Sequence, residues 1–552
     1  MTVEQRATLD VPLELGLVAE SVTVEAGNSA PLLEPASNEL GTLIEPINVQ
    51  QLPLNGRNYL QLGYLSGAAQ DGGPTSSDFL ATQTGHADRD ITIAGVEQDL
   101  IGFTVNGISV AGSRLGDLSL DVSISAVDQF KVVQGFIMPA MGPDPGIVNV
   151  VTKSGSNGFH GEAFEFLRNN ALDARNFFET QSRPGPFRRN QFGGAAGGPI
   201  LRNRLFFFAN YEGLRQVQAN PQGGFAPTQA MFSGDFSGLP AAIYDPSSAN
   251  SAGRRQPFSG NVIPAYRINP MAQKLLAYYL PGSSYNARPL NVFSEPTQTQ
   301  DSDQGGLRVD ANISKNHALF GQYMQEAYPV DNPALFPVSG LYYHMNTEFA
   351  MVQLTSTLGP ELVNELHLGF TRPFLFYGGI GQPGLEKNLG ITGSADGNGV
   401  PGITLGGFSS FGTAQSVVGN IDNNYQMYDS LKLLHSRHEI QLGASLHYIR
   451  TVQESANFNA RGTLVFNSVF TAQLAPGSNG NFLPWPAREA PLPISCWACQ
   501  SVEPSPPCPV LTIAGPRSIH TSRTPGDCAP DSLSILVLAG TWGRLPIRPE
   551  TT

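Results

Sequence analysis

Cysteine is missing from the first 495 residues of this 552-residue sequence, and tryptophan from the first 484. Over that length there is neither a disulfide framework nor a thiolate metal site. Charge is scarce as well. Charged residues make up 14%, against about 25% in soluble globular chains. The net charge of -13 argues against a nucleic-acid partner, because phosphate binding needs a basic face. No window holds the ~18 uninterrupted apolar residues of a membrane helix, so any crossing would have to be made by strands. The opening "MTVEQRATLDVPLELG" has neither the basic nor the apolar region of a secretory signal and, taken alone, reads as cytoplasmic. A GxSxG elbow is absent, as is any nucleophile constellation, and the nine histidines show no ligand spacing with cysteine or carboxylates. No catalytic residue, cofactor or metal is therefore expected.

The last 69 residues differ from the rest. From Pro484 onward 13 residues are proline, against 30 in the preceding 483, and Phe, Tyr, Asn and Lys do not occur at all. All four cysteines (Cys496, Cys499, Cys508, Cys528) and all three tryptophans (Trp485, Trp497, Trp542) lie there. "CWAC" has CxxC spacing, but no second pair accompanies it, so a metal or redox role does not follow. Residues 484–552 read as an unrelated or frameshifted tail, expected to be disordered.

What remains is rich in glycine (60) and turns. Ala7, Leu9, Val11, Leu13 and Leu15 recur at period two, as do Val22, Val24 and Ala26, which predicts two strands. Two strands make no domain, so residues 1–27 read as the remnant of a β-sandwich. Residues 40–157 carry short β-rich pieces, "ITIAGV", "FTVNGISV", "QFKVV" and "GIVNVVT", with a helical turn between Leu118 and Val127. They form a compact α/β unit.

Beyond residue 158 the rhythm changes. Leu307, Val309 and Ala311 alternate with Arg308, Asp310 and Asn312. Asn364, Leu366, Leu368 and Phe370 alternate with Glu365, His367 and Gly369. Ile440, Leu442, Ala444 and Leu446 oppose Gln441, Gly443, Ser445 and His447. One apolar and one polar face suits a membrane β-barrel or a soluble sandwich. Low charge, long Gly/Pro/Asn loops and aromatics at strand ends favour the barrel. Phe206–Phe208, Tyr211, Tyr342, Tyr343, Phe374, Phe376 and Tyr377 are the expected interface girdle.

Three stretches carry a family resemblance: "QLPLNGRNYLQLGYLS" (51–66), "VVTKSGSNGFHGEAFEFLRNNALDARNFFE" (150–179) and "FRRNQFGGAAGGPILRNRLFFFANYEGLRQ" (187–216). With "FSGDFSG", "GNVIPAYRINPMAQKLL", "RVDANISKNHALFGQY" and "SRHEIQLGASLHY", they resemble TonB-dependent receptors of the Oar-like type over residues 7–483. The resemblance implies a carboxypeptidase-regulatory-like domain, a plug and an outer-membrane barrel. The expected fold is mainly β: a small α/β plug (40–157), then the N-terminal part of an antiparallel transmembrane barrel (158–483). Val148–Lys153 would end the plug, Ser154–Gly158 would turn, and His160 would open the barrel, where the next strand meets lipid.

The same resemblance implies energised uptake across the bacterial outer membrane. The partners would be outer-membrane lipid, the inner-membrane TonB complex and an unidentified siderophore, glycan or peptide. TonB would grip an extended segment by strand addition, and the candidate is Glu20, Ser21, Val22, Thr23, Val24, Glu25 and Ala26. The same residues also read as the last sandwich strand. Set against the family the sequence looks truncated at both ends, and a fragment with an unclosed barrel is expected not to transport. The alternatives are a β-rich outer-membrane surface-binding or adhesion protein without transport, and a periplasmic β-sandwich enzyme, for which no site is found.

Other motifs are weaker. "DSDQGG" with Asp301, Asp303 and Gly306 resembles a calcium loop, but Gly305 and Asn312 stand where ligands are needed, so a polar turn before a strand is expected. "GGAAGG" (193–198) lacks the lysine of a phosphate loop and reads as a barrel turn. His435 and His438 read as loop residues. Arg57 is expected to pack within the plug, with a substrate role open.

Overall fold

The computed structural model describes residues 40–466 apart from internal gaps, of which the longest are 72–90, 135–145 and 175–183, together with short segments at 474–476, 482–484, 532–535 and 539–544. Residues 1–27, the candidate Glu20–Ala26 segment and all four cysteines lie outside the described residues.

Five strands make a small first sheet: β1 Leu40–Ile44, β2 Ile101–Val105, β3 Ile108–Ser109, β4 Val127–Gln134 and β5 Gly146–Thr152. Their order is β1-β4-β5-β2-β3, with β5 parallel to β2 and the other neighbours antiparallel. The near-continuous apolar run of β5 is buried along almost its whole length, as expected for a central strand covered on both faces. β2 and β3 are joined by Asn106 and Gly107, both at positive φ (50° and 83°), the conformation that a two-residue hairpin turn demands. The helical turn expected between Leu118 and Val127 is a single 3-10 turn, Ile124–Ala126, capped by the Ser123 side chain.

Among the described residues, nine long strands follow in one antiparallel sheet, taken in chain order: β6 His160–Asn169, β7 Phe187–Leu201, β8 Leu205–Ala219, β9 Thr297–Asn312, β10 His317–Pro333, β11 Gly340–Thr357, β12 Leu362–Gly379, β13 Val418–His435 and β14 His438–Ser455. The links at one end are short, at 202–204, 313–316, 358–361 and 436–437, whereas 220–296 and 380–417 are long. That asymmetry belongs to outer-membrane barrels, with short turns on the periplasmic side. Residues 16 to 18 long, β9 to β14 exceed the about 9–11 residues that a tilted strand needs to cross lipid. Strands of this length would reach beyond a bilayer on at least one side.

Several expectations are corrected here. "GGAAGG" is no turn: it forms the middle of β7. A Cβ at Gly193 would lie 2.8 Å from the Phe164 ring, and one at Gly198 would lie 2.3 Å from that of Phe159. Neighbouring rings lie across this stretch and leave room only for glycine and alanine. "DSDQGG" is likewise strand, inside β9, with Asp301 and Asp303 paired to Arg215 and Gly213 of β8. His435 and His438 are strand ends paired with each other. The supposed girdle divides between the two faces: Phe208, Tyr343 and Tyr377 are buried on the concave side, while Tyr211 is exposed. Adjacent strand residues point to opposite faces, so a run such as Tyr342–Tyr343 cannot lie wholly in an interface.

Two short segments of the tail are described. These strands, β15 Ser532–Ile535 and β16 Ala539–Arg544, lie end to end along β14, both antiparallel. An open strand edge offers unpaired backbone groups, and pairing with it asks little of the side chains.

Candidate functional site

The small domain lies against the concave face of the large sheet, and the boundary between them is largely polar. Glu212 of β8 is the densest point of it. Its carboxylate accepts from Ser123 Oγ (2.5 Å) and from Gln191 Nε2 (2.6 Å). Arg57 Nε lies 3.4 Å from Glu212 Oε1, an ion pair that lacks hydrogen-bond geometry. The Arg57 guanidinium instead donates through Nη2 to Ser125 (3.0 Å) and stacks 4.0 Å from the Phe164 ring centre. Arg57 is thus a bridge to the wall rather than a residue packed within its own domain. Gly56 and Arg57, both at positive φ, turn the chain so that this side chain reaches the sheet.

A second cluster surrounds the hairpin tip. Asn106 Nδ2 donates to Gln322 Oε1 (2.6 Å) and to Thr152 Oγ1 (2.9 Å), and Arg308 Nη1 donates to the Thr152 carbonyl (2.9 Å). Further along, Ser109 exchanges two bonds with the Gln426 amide (2.9 and 2.8 Å) and accepts a third from Thr371 Oγ1 (2.9 Å). Glu326 accepts from the Asp121 backbone N–H (2.7 Å), and Thr347 Oγ1 donates to the Ser119 carbonyl (2.5 Å). Apolar packing supplements this network. Phe208, Met324, Phe349, Met351 and Tyr428 of the wall belong to the same core cluster as the small domain. Ile108 presses so closely on Gly369 that a Cβ there would lie 2.5 Å from it.

The connection between the two bodies is itself held. A Cβ on Gly155 would lie 2.3 Å from the Phe207 carbonyl oxygen, so the strap runs flush along β8. Asn157 and the short turn at Asn203 exchange two bonds, of 2.7 and 2.8 Å. At the junction, burial raises the Asp128 carboxyl above its ordinary range, opposed by the charges of Lys153 and Arg308. Burial also lowers the Lys153 ammonium, opposed by Glu162 and Asp128.

At the opposite end the long loops fold into a body of their own. Segments 225–292, 335–336 and 385–411 share one apolar core that includes Phe236, Tyr279, Phe336, Leu389, Ile403 and Phe411. Gly402–Leu405 pairs in parallel with Thr463–Phe466. An apolar pocket between Met231, Phe236, Ile263, Leu276, Tyr279 and Leu405 opens in this cap. The Tyr279 hydroxyl is committed to the Ser409 carbonyl (2.5 Å), and burial pushes its pKa upward.

Sequence reasoning missed Glu212, Gln191, Gln322, Thr371 and Gln426. Their signal was present: each is a polar residue at a concave position of an alternating strand. Among the described residues, no cluster of three or more His, Cys, Asp or Glu is arranged to hold a metal ion.

Comparison with known proteins bears on this geometry. Residues 151–485, more than half of the chain, match the family described as "Outer membrane beta barrel domain". A 215-residue stretch is 28% identical to the TonB-dependent transporter Oar of Myxococcus xanthus, covering 37% of this chain and 19% of that protein. Among solved structures, the outer-membrane transporter YddB of Escherichia coli aligns over 75% of this chain and 48% of its own, with 9% identity and a TM-score of 0.44. A mutant of the ferric enterobactin receptor PfeA of Pseudomonas aeruginosa aligns over 74% and 49%, with 14% identity and a TM-score of 0.41. The chain thus spans about a fifth of the length of the curated relative and about half of these structures.

Proposed function

Because this chain belongs to the outer membrane β-barrel domain family and so resides in the bacterial outer membrane, we propose that it supplies the plug and the adjoining wall of a TonB-dependent transporter. The observation that carries this reading is the polar boundary between the small domain and the sheet. A permanently fixed domain is held best by apolar packing. Hydrogen bonds can instead be exchanged for water one at a time, each at a small net cost of about 1 kcal/mol. Such a boundary suits a body that blocks a lumen and must later give way.

In this reading Glu20–Ala26, upstream of β1, is the handle that TonB draws into its own sheet. Because β1 is, among the described residues, an edge strand paired with β4, tension from the N-terminal side meets it early. The substrate, of siderophore, glycan or peptide class, enters through the looped cap. The role is transport rather than catalysis. The test is capture of the full chain by the C-terminal domain of TonB. Val22→Pro and Val24→Pro each remove a backbone donor and should abolish capture, whereas Val24→Thr should preserve it. Equal capture of all variants would overturn the assignment of this segment.

A further inference from the structure

The residues of β12 and β13 that touch the small domain fix which face of the sheet is concave. His367, Gly369 and Thr371 of β12 and Gln426 of β13 lie against Gly107, Ile108 and Ser109. The alternate residues therefore face outward, to lipid. Register places them in rows across three strands. Leu368, Met427 and Leu446 form one row, and Phe370, Tyr425 and Tyr448 the next. The rings of this second row run in contact, with centroids 5.0 Å apart from Phe370 to Tyr425 and 5.9 Å apart from Tyr425 to Tyr448. The following row, toward the long-loop end, is Arg372, Asn423 and Arg450. Asn423 pairs with Arg450 directly, and the pairs Thr371–Asn424 and Phe374–Ile421 bracket Arg372 and Asn423.

Cations on a lipid face are expensive at the membrane centre and persist where they meet the headgroups. An aromatic row directly beneath is the usual mark of that level. The row's charges are only partly met. Arg372, 44% exposed, has Glu348 of β11 at 3.9 Å, beyond hydrogen-bond distance. Among the described residues Arg450 has no ion-pair partner and the Asn423 amide has no hydrogen bond. Two strands apart, the two arginines stand about 10 Å apart at the backbone, within reach of one anion between them. Guanidinium groups suit phosphate in particular, through paired N–H donors.

We propose that Arg372, Asn423 and Arg450 form an outward-facing site for the phosphate of a membrane lipid in the outer leaflet. The chains of that lipid lie along Phe370, Tyr425 and Tyr448 and over Leu368, Met427 and Leu446. Glu348 opposes the anion and sets how tightly it is held. The site rests on the sheet being a lipid-facing wall, and it is independent of what the barrel transports.

The test is lipid retention by the full chain in neutral detergent, followed by native mass spectrometry. The probes are lipid A, phosphatidylglycerol and, as a phosphate-free control, diacylglycerol. Arg372→Ala with Arg450→Ala should weaken binding of a phosphate-bearing lipid about thirtyfold, with diacylglycerol unchanged. Glu348→Gln should strengthen it, and this gain is informative even if the double variant folds poorly. Whichever of the two phosphate lipids shows this pattern is the natural occupant. Phosphate-lipid binding that ignores both changes, or an equal loss of diacylglycerol, would overturn the proposal.

Discussion

At position 212 two hydrogen-bond donors and the charge of Arg57 converge on one carboxylate that is only 3% exposed. Glu212→Ala strands the Gln191 amide and the Ser123 hydroxyl without this acceptor and leaves Arg57 without its counter-charge. An uncompensated buried group of this kind weakens a structure by about 3 kcal/mol. Since each 1.4 kcal/mol or so is a factor of about ten, backbone amides of β4 and β5 should exchange with solvent about a hundredfold faster in the variant. Unchanged exchange would mean that Glu212 does not help hold the small domain. The arginine in this cluster was visible in the sequence as part of "NGRN". Its partner was not, because nothing in a local pattern says that residues 57 and 212 meet.

Elements were read with uneven success, and the reasons are physical. Alternation revealed β9, β12 and β14, since one face meets lipid and the other the interior. It failed at "GGAAGG", where glycine ordinarily marks a turn; here it marks the close approach of Phe159, Phe164 and Phe208 to β7. It also failed at "DSDQGG", a part of β9 rich in polar residues that reads as a turn. The strap after β5 was anticipated as a polar turn, but its anchoring was not. Gly155 and Gly158 look equivalent in the sequence, yet a Cβ on the first meets backbone oxygen at 2.3 Å and on the second meets nothing within 4 Å. Gly155→Val should therefore cost about 2 kcal/mol or more, while Gly158→Val should stay within about 0.5 kcal/mol. Denaturant melts of the two variants in detergent decide it, and equal midpoints would contradict the flush strap.

Among the described residues, three bodies are joined: the small domain, the wall and the looped cap. The first two were foreseeable from rhythm and resemblance, whereas the cap was not, because its core is assembled from three loop segments that long strands separate in the sequence. Its surface includes a pH-sensitive tie. Burial raises the Asp245 carboxyl, but bonds from Arg267 and Ser247, with the charge of Arg267, outweigh burial and hold it below the ordinary 3.8. The Arg267 Nη2 to Asp245 Oδ1 distance is 2.9 Å. A depressed carboxylate stabilises the fold above its unfolded value, and that contribution is lost as the pH falls through the folded value. Protease resistance of residues 225–292 should therefore drop below about pH 4. Asp245→Asn should flatten that dependence and lower resistance at neutral pH; an unaltered profile would rule the tie out.

The shared cap core has a consequence for engineering and for descent. Phe236, Phe336 and Phe411 come from three separate hairpins yet complete one another's surroundings. A single hairpin transplanted into a different pore would arrive without the upholstery that the other two supply and would collapse or splay. New ligand preferences should therefore be inherited, or borrowed, as a matched set of loops rather than piecemeal.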